Sequence, residues 1–230
     1  MSKAERLLLF DIDGTLMVSG GAGENALKDA MLDRFGIVED LAGISLAGST
    51  DALIARMLLE KHGLPVTVEN TTALLDAYLS HLPKRMPLHA GRLLPGIIAL
   101  LDRLKEHPDC YLALLTGNMR RGAEIKLSHY GVWDYFEFGA FADDHHDRNE
   151  LGHFARTRAR DRHGIEFIPE RIYVIGDTPR DIECGRAVGA RTVAIATGNY
   201  PIAALEAHNP DFLFPDLSDT DTVLAALLGE

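Results

Sequence analysis

Two aspartates one residue apart, Asp11 and Asp13, end the first apolar run of the chain, Leu7–Phe10. Two more, Asp177 and Asp181, follow another such run, Ile172–Ile175. Thr116, with Gly117 and Asn118, follows a third, Tyr111–Leu115. Groups that stand just after the strands of an open parallel sheet share one crevice at its carboxyl edge. Three or four carboxylates in one crevice repel each other unless a cation sits among them. Oxygen ligands with no His or Cys in reach suit a hard ion, Mg2+ first. Mg2+ keeps part of its water and takes phosphate oxygens as further ligands. A hydroxyl and helix-start amides at Thr116–Asn118 can bind such oxygens. The chemistry expected of this set is phosphoryl transfer, with a carboxylate nucleophile, a metal to neutralise charge, and donors around the phosphoryl oxygens.

Such placement requires a sheet. The three runs read as buried parallel strands, joined later by Thr192–Ala196 and more weakly by Phe212–Phe214. Helices are expected between them. Gly96–Glu106 carries Ile97, Leu100, Leu101 and Leu104 at helical spacing, and Met119–Tyr130, Glu150–Arg162 and Asp181–Val188 follow. Strand and helix in alternation predict an α/β fold with helices on both faces of a parallel sheet. The stretch from Phe10 to Tyr111 is far longer than the roughly dozen residues a crossover needs. Most of it is helical in pattern, with apolar stripes at Ala26, Leu27, Ala30, Met31 and Phe35, at Leu53, Ile54, Met57 and Leu58, and at Leu74, Leu75, Tyr78, Leu79 and Leu82. Gly20-Gly21-Ala22-Gly23 opens it, and Pro83 to Gly91 closes it. The expected organisation is a core from 1–16 and 91–230, with residues 17–90 inserted as a helical cap on two hinges.

Composition narrows the function classes. The 230 residues carry 23 basic and 34 acidic side chains, a net charge of −11. So acidic a chain is a poor non-specific ligand for nucleic acid or an anionic membrane, while one cationic pocket can still bind a small anion. No apolar run approaches a membrane span, and Leu7–Phe10 is too short for a signal peptide. Cys110 and Cys184 are isolated, without metal spacing, and read as buried apolar filler. A cytoplasmic protein, monomeric or a small homo-oligomer, is expected.

Asp11-Ile-Asp-Gly-Thr-Leu16 resembles the first motif of the haloacid dehalogenase-like superfamily. Leu115-Thr-Gly-Asn118 resembles its second motif, and Gly176-Asp177-Thr-Pro-Arg-Asp181 its fourth. The resemblance covers the whole chain and implies a Rossmann-like core with a cap. It implies Asp11 as nucleophile, forming an aspartyl-phosphate, and Asp13 as acid for the leaving alcohol, then base for water. Asp177, the Asp11 carboxylate and the Asp13 backbone carbonyl would hold Mg2+. Asp181 would hold a metal-bound water or orient the basic residue. Thr116, Gly117 and Asn118 would bind phosphate. An Asp at position 13 argues against dehalogenation and against phosphonate hydrolysis.

The third motif departs from the family, which usually has a Lys there. No lysine follows Lys126. Counting back from Gly176 points to Arg148, whose guanidinium can clamp phosphate and pair with a carboxylate. In the insert, Leu46-Ala-Gly-Ser49-Thr50-Asp51 is the expected specificity loop, with Ser49 and Thr50 toward substrate. Neither this loop nor Met17–Gly20 carries a cation, which suggests a small phosphorylated metabolite. The nearest resemblance is to phosphoglycolate phosphatase-like members. A phosphosugar mutase of the β-phosphoglucomutase type shares fold and cap, and a phosphoacceptor signalling domain is a remoter alternative. Asp143-Asp-His-His-Asp147 reads as a solvated loop on the active-site rim, in which Asp144 could neighbour the metal. Gly20–Gly23 lacks the spacing of a nucleotide loop, and Arg120-Arg121 reads as a solvated helix start.

Overall fold

The computed structural model describes residues 5–229. A six-stranded parallel sheet runs in the order β5-β4-β1-β6-β7-β8. Its strands are β1 (Arg6–Phe10), β4 (Cys110–Leu115), β5 (Phe138–Ala140), β6 (Ile172–Gly176), β7 (Arg191–Ile195) and β8 (Phe212–Phe214). A hairpin-like pair, β2 (Met17–Val18) with β3 (Arg92–Leu93), stands apart from it. β1 lies between β4 and β6, with Phe10 level with Leu114 on one side and Ile175 on the other. The residues that follow these three central strands therefore emerge side by side.

The alternation of a strand divides the core. Leu8 and Phe10 face one layer, with helices α4 (Ile97–Glu106), α5 (Arg120–His129) and α9 (Thr220–Leu228). Leu7 and Leu9 face the other, with α6 (Arg148–His163) and α7 (Pro179–Ala187). Both faces are covered, so the strand interiors are apolar throughout. α8 (Ile202–Glu206) packs Leu205 beside Ile182 and Ala194.

The long segment after β1 forms α1 (Ala22–Phe35), α2 (Asp51–Lys61) and α3 (Val68–Arg85). The stripe residues Ala26, Leu27, Ala30 and Met31 of α1 meet Leu74, Leu75, Tyr78 and Leu82 of α3 in one buried cluster. The chain leaves and re-enters the sheet region along β2 and β3, so the two connections run together. Thr50 and Thr67 cap α2 and α3 through their hydroxyls, which accept from Leu53 and Asn70 amides at 3.2 Å each. α3 also packs on α5, which brings Tyr78 toward the strand ends.

The expected strands and helices are present, with shifts of at most two residues at their ends. β5, a short strand outside those five runs, begins at Phe138 after Trp133–Tyr135 form a 3-10 turn. No helix among the described residues is long and apolar enough to cross a membrane. Cys110 and Cys184 are free thiols.

Candidate active site

At the carboxyl edge, carboxylate oxygens of Asp11, Asp177 and Asp181 lie within 4.8 Å of one another, and all three residues are buried. Asp11 follows β1, and its amide donates to the Ile175 carbonyl at 2.9 Å, which fixes the chain between β4 and β6. Asp177 follows β6. Its carboxylate is packed so closely that a Cβ on Gly198 would lie 1.7 Å from Oδ2, and one on Gly14 2.3 Å from it. Gly14 also has φ +83°, so its lack of a side chain is required twice over. Asp181 is the third residue of α7. Its Oδ2 accepts from the Thr178 amide at 3.0 Å and hydroxyl at 2.8 Å, a capping box that fixes its rotamer.

Arg148 opens α6, where Asp147 caps the helix by accepting from the Asn149 amide at 3.0 Å. Its buried guanidinium reaches Asp11 Oδ1 at 3.1 Å and also bonds Asp181 Oδ1. The Nε atom is buried without a hydrogen-bond partner among the described residues. Burial pushes the Asp11 carboxyl above its usual range, opposed by Arg148, while Asp181 and Asp13 add to the rise. Burial likewise raises Asp177 well above the carboxylate range, with Asp181 and Asp11 adding repulsion. One guanidinium thus balances three crowded carboxylates incompletely. An oxygen-only set held this way fits a hard divalent cation.

Asp13 points elsewhere. Its Oδ2 accepts from Lys126 Nζ at 2.6 Å and from Asn118 Nδ2 at 2.8 Å. Asn118 Nδ2 also approaches the Thr116 hydroxyl at 2.9 Å, and Lys126 donates to Asn118 Oδ1 at 2.6 Å. Thr116 is fully buried and lowers the Asp11 carboxyl by a side-chain hydrogen bond. A cavity of about 360 Å³ opens above these groups, lined by Asp11, Asp13, Asn118, Lys126, Tyr78 and Asp177 among others.

The loop at 46–51 is docked on the strand ends. The Asp51 amide donates to the Gly117 carbonyl at 2.7 Å, and Asp51 Oδ2 accepts from the Met119 amide at 2.8 Å. Burial raises the Asp51 carboxyl to about 6. Thr50 donates to the His146 carbonyl at 2.7 Å, and Arg180 bonds the Ser49 hydroxyl. Gly117 is pressed so close that a Cβ there would lie 2.2 Å from the Ser49 carbonyl oxygen.

The structure therefore gathers Asp11, Asp13, Thr116, Gly117, Asn118, Arg148, Asp177 and Asp181 at one place. Ser49 lines the cavity, whereas the Thr50 side chain faces a second, smaller recess with His146 and Arg180. Asp144 is drawn away from the carboxylate cluster, because Arg158 clamps both its oxygens, at 2.6 and 2.5 Å. Sequence reasoning missed Lys126. The loop 46–51 and Met17–Gly20 supply no cation to the cavity, as expected, and Lys126 of α5 supplies one. The sequence did not mark it: the structure shows that Gly122, Ala123, Lys126 and Leu127 form the buried face of α5, where a lysine is out of place.

Comparison with known proteins is consistent with this geometry. The family model described as haloacid dehalogenase-like hydrolase matches residues 8–186, more than half the chain. A phosphoglycolate phosphatase from Rhodobacter capsulatus is 29% identical, over 92% of this chain and 93% of its own. One from Mannheimia succiniciproducens is 26% identical, over 95% and 98%. Among solved structures, a hydrolase from Pseudomonas syringae superposes with a TM-score of 0.74 at 23% identity, covering 97% of this chain and 99% of its own. CbbY from Rhodobacter sphaeroides, in complex with phosphate, gives 0.75 at 17% identity, over 94% and 96%. At these identities the two structures speak for the fold alone.

Proposed function

The chain belongs to the haloacid dehalogenase-like hydrolases, and from that premise we propose that it is a Mg2+-dependent phosphatase of small phosphomonoester metabolites, similar to the phosphoglycolate phosphatases. The observation that carries this reading is a division of labour between carboxylates. Asp11 lies with Asp177 and Asp181 in a tight acidic cluster, while Asp13, two residues on, is turned to Lys126 and Asn118 at the cavity wall.

In this reading the Asp11 carboxylate attacks phosphorus and the P–O bond to the alcohol breaks. Asp13 gives its proton to the departing oxygen. Water, deprotonated by Asp13, then cleaves the aspartyl-phosphate and releases inorganic phosphate. Thr116 and the amides of Gly117 and Asn118 hold phosphoryl oxygens, and Arg148 supplies fixed positive charge. Asp11, Asp177, the Asp13 carbonyl and Asp181, directly or through water, are the groups that would hold Mg2+. The ion's contribution would be to neutralise charge on the phosphoryl group beside Asp11. Residues 17–90 serve as the cap, whose Ser49 faces the substrate space.

Purified protein with Mg2+ should release inorganic phosphate from 2-phosphoglycolate or a comparable small phosphomonoester. Activity should vanish in chelator and return with Mg2+, with Ca2+ a poor substitute. A phosphosugar mutase would instead retain phosphate in its product. Absence of phosphate release across a panel of phosphorylated metabolites would overturn the reading.

A pH-linked effect is expected as well. In metal-free protein, folding penalises the ionised forms of Asp11 and Asp177, which the unfolded chain does not. Folding then takes up protons above about pH 4, so stability falls as pH rises toward their raised pKa values. A bound divalent cation favours the ionised forms. The rise in melting temperature on adding Mg2+ should therefore be larger at pH 8 than at pH 5.5. Equal rises at both pH values would contradict the assignment of these carboxylates to the ion.

Arg148→Ala should weaken transition-state binding by ~2–4 kcal/mol, the scale of one preorganised electrostatic donor. Arg148→Lys should recover part of this. Arg156 lies farther along α6, its Nη2 3.7 Å from Glu166, and Arg156→Ala should leave kcat/KM nearly unchanged. Measured kcat/KM for the three variants checks the placement. A silent Arg148→Ala would refute it.

A further inference from the structure

A buried lysine is costly unless its charge is paired and its donors are used. Lys126 is 5% exposed and lies on α5, a full two turns past the loop that carries Thr116–Asn118. Both of its hydrogen bonds go to residues at the cavity, Asp13 and Asn118. Its Nζ also faces the start of the insert, 4.0 Å from where a Cβ on Gly23 would stand.

The effect on Asp13 is specific. The Asp13 side chain is 43% exposed and lies past the end of β1, where its backbone makes only an isolated bridge with Met17. Lys126 and Asn118 both donate to the same oxygen, Oδ2, and Lys126 in turn ties down the Asn118 amide. Oδ1 makes no hydrogen bond among the described residues. The carboxyl is thus pinned by one oxygen, with the other unbonded on a residue that lines the cavity.

We propose that Lys126 is the positioning residue for Asp13: by fixing Oδ2 it presents Oδ1 as the atom that exchanges the proton with the leaving alcohol. The proposal rests on the phosphatase reading. In the step concerned, the Asp11 O–P bond forms, the P–O bond to the alcohol breaks, and the proton on Oδ1 moves to the departing oxygen. Water later returns a proton to Oδ1 as its oxygen joins phosphorus and the Asp11 O–P bond breaks. Lys126 touches neither reacting oxygen and gains or loses nothing.

Leaving-group dependence separates this role from a merely structural one. An alkyl alcohol departs poorly without a proton, whereas p-nitrophenolate departs well without one. Lys126→Met, which keeps length and removes charge, should lower kcat/KM for ethyl phosphate by roughly 10- to 100-fold, part of the ~10²–10⁴-fold worth of a general acid. The loss of kcat/KM with p-nitrophenyl phosphate, which reports the first step and not the shared second one, should be at least about tenfold smaller. KM for ethyl phosphate should move little, and Lys126→Arg should restore part of kcat. Combined with Asp13→Asn, the Lys126→Met change should cost almost nothing further, since both act through one carboxyl. Equal losses of kcat/KM with both substrates, or additive effects in the double variant, would overturn the proposal while leaving the phosphatase reading intact. Absence of phosphate release by the wild-type protein would remove both.

Discussion

Asp11→Asn is expected to lower turnover by ~10⁴-fold or more, as removal of a covalent nucleophile does. The amide nitrogen and oxygen cannot form the acyl-phosphate that the carboxylate forms. No neighbour can take over. Asp177 and Asp181 are held by close packing and by the α7 cap respectively, and Asp13 is engaged by Lys126 and Asn118. The same substitution should not weaken the fold. Asp11 is buried beside two other carboxylates, and burial with their repulsion disfavours its charge. Replacing it by a neutral isostere leaves fewer like charges in the metal-free cluster, so the melting temperature in chelator should hold or rise. Loss of activity with unchanged or higher melting temperature is the expected pair of results. Near-full activity in this variant would remove Asp11 from the chemistry.

Asp13→Asn should lower kcat by ~10²–10⁴-fold while leaving the nucleophile in place. The side chain keeps its volume, and its amide oxygen can still accept from Lys126, so the local hydrogen-bond pattern survives. What is lost is the exchangeable proton. The loss in the first step, read as kcat/KM, should be steepest for alkyl phosphates and shallow for aryl phosphates with good leaving groups. A burst of leaving alcohol followed by slow phosphate release is expected with aryl substrates, because the second step then lacks its base. Rapid-quench measurement of both products tests this. A uniform loss with no burst would place the proton transfer on another group.

The parts of this molecule that the sequence made legible are those where chemistry and local structure coincide. An apolar run ended by Asp-Ile-Asp-Gly specifies both a buried strand and what stands at its end. The same holds for Thr116 and for Asp177 and Asp181. Arg148 was reachable by counting back one helix from a strand, because α/β connections are short. The strand order was not legible, since nothing local states which apolar run neighbours which. Lys126 was obscured for a different reason. It occupies a helix interior, where charged residues ordinarily face water, and only the burial of Gly122, Ala123 and Leu127 beside it shows that this face looks inward. The docking of Ser49, Thr50 and Asp51 onto Gly117, Met119, His146 and Arg180 joins residues far apart in the chain, and such contacts leave no mark in a single sequence.

That docking also bears on recombination between relatives. Inserted segments are natural units to exchange, because their two ends meet beside one another. Here the insert carries half of a lock whose other half lies on the loop after β4. The Ser49 carbonyl rests where only a residue without a side chain, Gly117, can receive it, and Asp51 holds the amide of Met119, the residue just before α5. A chimera that receives a foreign insert but keeps its own 116–119 loop would bring together two surfaces never shaped for each other. Transplanting 17–90 together with 116–119 and Arg180 moves the lock whole. The contact between insert and core is therefore inherited as a discontinuous block of sequence, and shuffling at the ends of 17–90 alone cuts through it.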